Sequence, residues 1–259
     1  APGLLNESAS LMGIAVAHSL FNLLCTVLML PLSNLLERLV CVLVPDGKQP
    51  EAASELDERL LATPPVALER CRKVAAQMAD CSVNALEQGI AALTAYTPEL
   101  ARQVRTAEDQ SDHFEDLLGT YLVKLSTRRI SAADSNEAAR LLKIIGDFER
   151  IADHGVNLVQ SAEELRSKKM NFSPSAMAEL TVLTKAVEEI LGLSLDAFLK
   201  DDYNAAGMVE PLEQVIDGLK EQLRTSHILR LQKEECSIEA GFVWADLLTD
   251  LERVSDHCS

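Results

Sequence analysis

Aromatic residues are scarce in this chain of 259 residues: one Trp, three Tyr and six Phe. Glycine (11) and proline (9) are also few. Sheet proteins draw on aromatic and β-branched side chains and turn often, so this composition excludes a β-rich fold. A chain rich in Ala, Leu and Glu with few helix breakers reads as all-α. Basic residues are in deficit too. Against 40 Asp and Glu stand 24 Lys and Arg, giving a net charge of −16 and a pI near 4.7. No basic patch can dominate such a field, which removes nucleic acid from the expected partners. An acidic surface suits cations, or simply solubility. The cysteines at 25, 41, 71, 81, 236 and 258 form no C-x-x-C pair and no zinc-ligand spacing. They read as buried, reduced thiols, compatible with a domain facing the cytoplasm.

Charge is missing altogether between Glu7 and Glu37. Inside that gap runs LMGIAVAHSLFNLLCTVLML, Leu11–Leu30. A helix of that length matches a bilayer core of about 30 Å, so a transmembrane helix is expected. The alternative is a buried core helix of a water-soluble bundle. A secretory signal would carry a basic flank and a shorter apolar run. His18 and Asn22, one helical turn apart, suit hydrogen bonding to neighbouring helices. After Pro31, the residues Leu32, Leu35, Leu36, Leu39, Val40 and Leu43 follow the spacing of an amphipathic helix. PDGKQP, from Pro45, breaks the periodicity. These patterns divide the N-terminal part into 1–45, the end of a membrane domain, and 46–65, a linker.

From Val66 the periodicity is helical almost throughout. Six helices are predicted: Val66 to Ala95, Thr97 to Ser126, Ser131 to Leu165, Ser173 to Lys200, Tyr203 to Leu231, and Ser237 to the end. Thr63 with two following prolines, Thr97-Pro98 and Ser173-Pro174 are helix starts by their capping and first-turn chemistry. Short connections between six helices suggest bundles.

The chain also repeats itself. DFERIADH at 147–154 returns as DLERVSDH at 250–257, an offset of 103 residues. EDQSDHFEDLL from Glu108 returns as EQVIDGLKEQL from Glu213, an offset of 105. Two features recurring in order at nearly one offset predict two three-helix units, 66–168 and 173–259. Each unit carries Glu-x-x-x-Asp twice: Glu108/Asp112 and Glu149/Asp153 in the first, Glu213/Asp217 and Glu252/Asp256 in the second. The i, i+4 spacing puts both carboxylates on one helix face. If the second and third helices of a unit pack antiparallel, four carboxylates surround one point. Like charges at that distance are costly unless a cation lies among them. Oxygen ligands select hard ions, divalent or ferric, whose identity the spacing leaves open. The same spacing also occurs without any such role, at Glu51/Glu55, Asp112/Asp116, Asp217/Glu221 and Asp246/Asp250. A single pair is therefore ordinarily a solvated helix face, and the matched phase of the two copies is what singles these out. His154 and His257 follow the second Asp of each motif and are expected on the surface, in helix packing, or behind the ligands. Arg150 and Arg253 are expected to pair on the exposed side, and Trp244 to anchor the sixth helix. No catalytic residues are expected, and the protein reads as a non-enzyme. The Glu-x-x-His pattern of carboxylate-bridged metalloenzymes is missing from the motifs, as Glu149-Arg-Ile-Ala shows.

The duplicated FERIADHGVNL and LERVSDH strings, with Glu-x-x-x-Asp on the preceding helix, resemble the PhoU domain family. AVAHSLFNLLCTVLMLPL, followed by the amphipathic stretch and then LDERLLATPPVALERCRKVAAQMA, resembles the end of the membrane domain in the bacterial sodium/phosphate cotransporter family. The resemblance implies tandem three-helix bundles whose Glu/Asp-x-x-x-Asp motifs bind metal clusters. The eight motif carboxylates named above are then the metal ligands. It further implies sodium-coupled phosphate uptake by the whole transporter at the cell membrane, with the helical domain on the cytoplasmic side as regulator. The implied partners are inorganic phosphate and sodium through membrane segments outside this chain, membrane lipid, and a second copy in a homo-oligomer. The alternative is a PhoU-like regulator of phosphate uptake or signalling without transport activity. The Gln-Ser-Ser motifs of the family's transport core are lacking here. The chain opens without Met, and repeat two ends soon after its Asp-His while repeat one runs on through GVNLVQSAEEL. The expectation is a portion of a longer protein with its second repeat truncated.

Overall fold

The structure, a computed structural model, describes residues 16–27 and 56–259. The chain divides into two units, Ala1–Pro50 and Glu51–Ser259. In the first unit, residues 16–27 are helical and present their apolar side chains outward, Leu20, Phe21, Leu23, Leu24 and Val27 among them. His18 and Asn22 meet within this helix, Nδ1 to Nδ2 at 3.3 Å, and Thr26 donates to the Asn22 carbonyl. Among the described residues no helix is long and apolar enough to cross a membrane. The transmembrane helix expected over Leu11–Leu30 lies in part outside the described residues, and the amphipathic stretch 32–43 lies wholly outside them.

All regular structure in the described part of the second unit is helical. Within the stretch expected to be a linker, Glu58–Ala62 is a short 3-10 helix with Leu61 buried. It is pinned by the Tyr121 hydroxyl, which donates to the Asp57 carbonyl at 2.9 Å, and by Lys124 on Glu58. Six helices follow: α1 (Pro64–Ala95), α2 (Pro98–Ser126), α3 (Ala132–Ser167), α4 (Pro174–Lys200), α5 (Tyr203–Gln232) and α6 (Ile238–Cys258). Their starts obey capping chemistry. The side chains of Thr97, Ser131, Ser173, Asp202 and Ser237 each accept a backbone N–H from the first turn, which would otherwise lack a partner. Thr63 stands at the N-cap of α1 without such a bond; Pro64 and Pro65, lacking N–H, remove two of the donors instead.

The helices form two bundles, α1–α3 and α4–α6, joined chiefly along α3 and α6, with α1 touching α4. One apolar core runs through both, from Leu68, Met78 and Leu118 to Ile190, Trp244 and Leu251. Phe148 of α3 meets Phe198 of α4 edge to face at 5.5 Å. Arg72 of α1 lies over the Phe198 ring, donates to the Phe198 carbonyl at 2.9 Å, and pairs with Asp201. Trp244, 1% exposed, packs on Phe172 and His227 and lies under the Arg230 guanidinium. It anchors α6 as expected from the sequence.

The crossing of α1 and α3 is the tightest. Small residues line it, Ala85 and Gly89 from α1 and Ala152 and Gly155 from α3. A Cβ on Gly155 would stand 2.6 Å from the Ala85 backbone, and one on Gly89 would stand 2.6 Å from the Gly155 carbonyl oxygen. Backbone cannot yield as a side chain can, so this close approach fixes how α3 presents its motif. Gly155→Ala is expected to lower stability in urea denaturation by about 3 kcal/mol. Gly192→Ala, with nothing within 4 Å of the new Cβ, is expected to raise it by about 0.5–1 kcal/mol through helix propensity. Equal midpoints for the two variants would contradict the close crossing.

Candidate metal centres

Val104, Phe114, Leu118 and Leu122 of α2 face the bundle core, together with the buried Ser111, whose hydroxyl pairs with that of Ser82 at 3.0 Å. Glu108, Asp112 and Glu115 follow one another at one-turn spacing beside that stripe, Glu108 and Glu115 half-buried and Asp112 exposed. On α3 the stripe Ile145, Phe148, Ile151, Ala152 places Glu149, half-buried, and Asp153, exposed, beside it. Core packing therefore brings the two acidic edges together, and the carboxyls act on one another. Glu108 is pushed above the usual carboxylate range by burial, then by Asp109, Asp153 and Asp112. Glu115 is pushed up by burial and by Asp112 and Asp116, with Asp153 adding and Arg150 opposing. Glu149 is pushed furthest, to about 7, by burial first, then by the charges of Asp153 and Glu115 and a hydrogen bond shared with Asp153. Asp153 acts on both Glu108 and Glu149, which links the two edges, but among the described residues no three acids of repeat one bring oxygens within 4.8 Å of one another. Glu115, whose charge acts on Glu149, was not singled out by the i, i+4 spacing; only its position one turn beyond Asp112 hinted at it.

Repeat two gathers Glu213 and Asp217 from α5 with Asp256 from α6, an oxygen of each within 4.8 Å of the others. At such a distance two carboxylates repel by about 3 kcal/mol at an effective dielectric near 20. Glu213 is raised by burial, then by Asp217 and Asp256. Asp256 is raised by burial and Glu252, with Arg253 opposing. The fourth expected member, Glu252, is turned to a cation of the protein itself, Lys220 Nζ at 2.7 Å. Arg253 lies on the exposed side, 3.4 Å from Asp256. The donor set is all oxygen, gathered at cost in the absence of positive charge, and it fits a hard cation. Glu213, Asp217 and Asp256 of repeat two would hold it, the one group among the described residues whose oxygens are gathered this closely.

The other half of each motif faces the opposite way. His154 Nδ1 lies 2.9 Å from Asp250 of the second copy, and His257 Nδ1 lies 3.1 Å from Asp147 of the first. Asn157 also donates to Asp250 at 3.1 Å. The two imidazoles lie 5.9 Å apart across the seam. These histidines are neither loose surface groups nor partners of the carboxylate clusters; they tie α3 to α6. Spacing within one copy could not reveal this, since each pair joins residues about a hundred positions apart. The recurrence of the whole octapeptide, first Asp and last His included, was the signal.

A tandem helical-bundle fold with paired acidic motifs defines the class, and comparison with known proteins narrows it. The sequence profile described as the PhoU domain matches residues 75–162 and 180–259. The chain belongs to the PhoU domain family. It is 24% identical over 177 residues to phosphate-specific transport system accessory protein PhoU homolog 1 of Thermotoga maritima, covering 68% of this chain and 75% of that protein. It is 27% identical over 161 residues to the PhoU homolog of Pseudomonas aeruginosa, covering 61% and 65%. In fold it is similar to the crystal structure of PhoU from Pseudomonas aeruginosa, with TM-score 0.61 at 23% identity over 79% of this chain and 92% of that one. It is also similar to the phosphate transport system regulatory protein PhoU from Streptococcus pneumoniae, with TM-score 0.66 at 17% identity over 76% and 91%.

The raised carboxyls carry a pH signature. Each holds in the folded chain a proton that the unfolded chain releases at the ordinary carboxylate pKa, so stability falls as pH rises through this window. For Glu149 the fall runs from about 4.5 to about 7, and is complete above that. In chelator, the melting temperature contributed by this cluster is expected to drop across that range, and Glu149→Gln is expected to flatten the drop. An undiminished slope in the variant would contradict the crowding.

Proposed function

We propose that this chain is a PhoU-like accessory regulator of phosphate transport whose two bundles are stiffened by cations in their carboxylate clusters. The observation that carries the metal part is the gathering of Glu213, Asp217 and Asp256 where α5 meets α6. Burial and neighbouring acids push Glu149 to about 7; a cation beside it would favour the ionised form. A cation there supplies charge neutralisation and crosslinks two helices. The residues of the chain do the rest. Core packing sets the acidic edges opposite each other, and the His154–Asp250 and His257–Asp147 pairs join each motif to the other bundle. A change in one cluster would therefore bear on the seam between bundles. The regulatory part rests on family membership and on relatives whose names assign them to phosphate-specific transport.

A second reading joins the helical domain to a membrane-bound sodium/phosphate transporter at the cell membrane. It is supported by the uncharged run Leu11–Leu30 and by the outward apolar side chains of residues 16–27. The helical domain would then face the cytoplasm, and phosphate and sodium would be handled by segments outside this chain.

Replacing Asp153 and Asp256 together with Ala is expected to abolish metal retention by the purified chain, read by elemental analysis. In cells, removing the gene is expected to change phosphate uptake. The wild-type chain is expected to restore it and the Asp153→Ala, Asp256→Ala variant is not. Unchanged metal content would refute the cation role, and uptake indifferent to the gene would refute the regulatory one. If the chain resists extraction from membranes by a high-salt wash, the second reading gains over the first.

A further inference from the structure

The two bundles bury matching positions, but at one end the matching residues differ in kind. The repeat offsets are 105 residues from α2 to α5 and 103 from α3 to α6. They set the buried Leu122, Leu125 and Leu141 of the first bundle where the second buries His227, Arg230 and Trp244. Neighbouring positions obey the same offsets and stay apolar, Leu118 with Leu223 and Ile145 with Leu248. A core place filled by three leucines in one bundle thus holds a guanidinium, an imidazole and an indole in the other. Arg230 is 5% exposed and His227 7%. The Arg230 guanidinium lies over the Trp244 ring, 5.2 Å from its centroid, and the His227 ring stacks on the same indole at 5.9 Å. Nη1 of Arg230 donates to Glu179 of α4 at 2.7 Å. Nε and Nη2 of Arg230, Nε1 of Trp244 and Nε2 of His227 are buried and have no hydrogen-bond partner among the described residues. Bare buried donors are costly, most of all on a charged group. His227 Nε2 also faces the first turn of α6. A Cβ on Gly241 would stand 2.8 Å from it, so only glycine leaves that nitrogen its room.

Which face of the guanidinium is bare decides what it fits. Nε and Nη2 form its side-on edge, whose paired N–H groups match two oxygens of one carboxylate or phosphate. Glu179 takes only Nη1. Trp244 Nε1 is a donor only, and His227 Nε2 donates in one tautomer. The end of the second bundle therefore gathers donors that lack an acceptor, the reverse of the carboxylate clusters. We infer that Arg230, with Trp244 and His227 beside it, is an oxyanion site that takes a small phosphate or carboxylate through the side-on edge of the guanidinium. Glu179 is the resident counter-ion. Its side chain is 29% exposed against 6% for that of Arg230, so it can turn to water while the arginine stays in place. The unpartnered nitrogens are closed to solvent, so the anion enters by local opening. It exchanges with Glu179 rather than joining it, which leaves the charge beside Arg230 unchanged and avoids burying a second anion. The first turn of α6, where Gly241 lies, adds the positive end of a helix dipole. The site stands apart from the carboxylate clusters and depends on neither the metal nor the regulatory reading.

Trp244 is the only tryptophan of the chain, so its fluorescence reports from the site itself. The full chain is titrated with inorganic phosphate and, separately, with acetate, at an ionic strength held constant with chloride. A saturable change with one or both, and a higher melting temperature in that anion, is the expected result. The anion with the lower half-saturation names the chemistry the site prefers. Glu179→Gln removes the competing carboxylate and is expected to tighten binding about tenfold. Arg230→Lys keeps the charge but loses the planar edge, and is expected to weaken binding about tenfold or more, the worth of one charge-assisted hydrogen bond. Arg230→Leu restores the residue of the first bundle. It is expected to abolish the response and to melt no lower than wild type in chloride. No saturable change with either anion would overturn the inference, as would an equal response to chloride or one that persists in Arg230→Leu. If Arg230→Leu fails to fold, Arg230→Lys decides, and wild-type affinity in that variant overturns it. Arg230→Leu and Glu179→Gln that lower the melting temperature alike, with and without anion, would mark an ordinary ion pair and overturn it too.

Discussion

Repulsion among carboxylates at the edges of two apolar seams constrains this molecule more than any single attraction. The seams themselves are ordinary helix packing. Val104, Phe114 and Leu118 of α2 meet Ile145, Phe148 and Ile151 of α3, and burial of these side chains supplies the driving force. That packing has a consequence the apolar residues do not control. It sets Glu108, Asp112 and Glu115 against Glu149 and Asp153, and Glu213 and Asp217 against Glu252 and Asp256. In both bundles carboxyls are pushed above their ordinary range, and a cation of the chain opposes the crowding: Arg150 in the first and Lys220, on Glu252, in the second. A bound cation would relieve it in either.

The motif Asp-x-Glu-Arg-x-x-Asp-His does two jobs because a helix has more than one face. Its Glu and second Asp turn toward the neighbouring helix of their own bundle. Its first Asp and its His turn toward the other bundle, giving the reciprocal pairs His154–Asp250 and His257–Asp147. Asp153 and His154 are consecutive, as are Asp256 and His257, so nothing flexible separates cluster from seam. Duplication makes the pairs reciprocal: each copy offers the same donor and acceptor, and α3 and α6 lie side by side. Gly155, directly after His154, holds α3 close against α1. This region of the chain is committed on three sides at once, to α1, α2 and α6.

Much of this was legible in the sequence. The six helices could be read from period and capping residues, because Thr97, Ser131, Ser173 and Ser237 satisfy first-turn donors locally, without help from distant parts. The duplication pointed to paired bundles, and the family comparison agrees with it. What could not be read depends on tertiary register. Glu115 looked like one acid among forty until α3 was set beside it. Lys220 became meaningful only opposite Glu252. The i, i+4 rule captured which acids share a helix face but not which cation competes for them. Asp147 and Asp250 were passed over because their partners lie in the other repeat. In the N-terminal unit, hydropathy suggested a membrane span, and the residues that would decide it lie largely outside the described structure.

The most direct measurement is anomalous X-ray diffraction at the manganese edge from crystals of the chain grown with Mn²⁺. Anomalous density within coordination distance of Glu213, Asp217 and Asp256, and between α2 and α3 beside Glu149 and Asp153, is the predicted result. Carboxylates turned out to solvent, with no anomalous density at either cluster in a chain otherwise folded as described, would contradict the central claim.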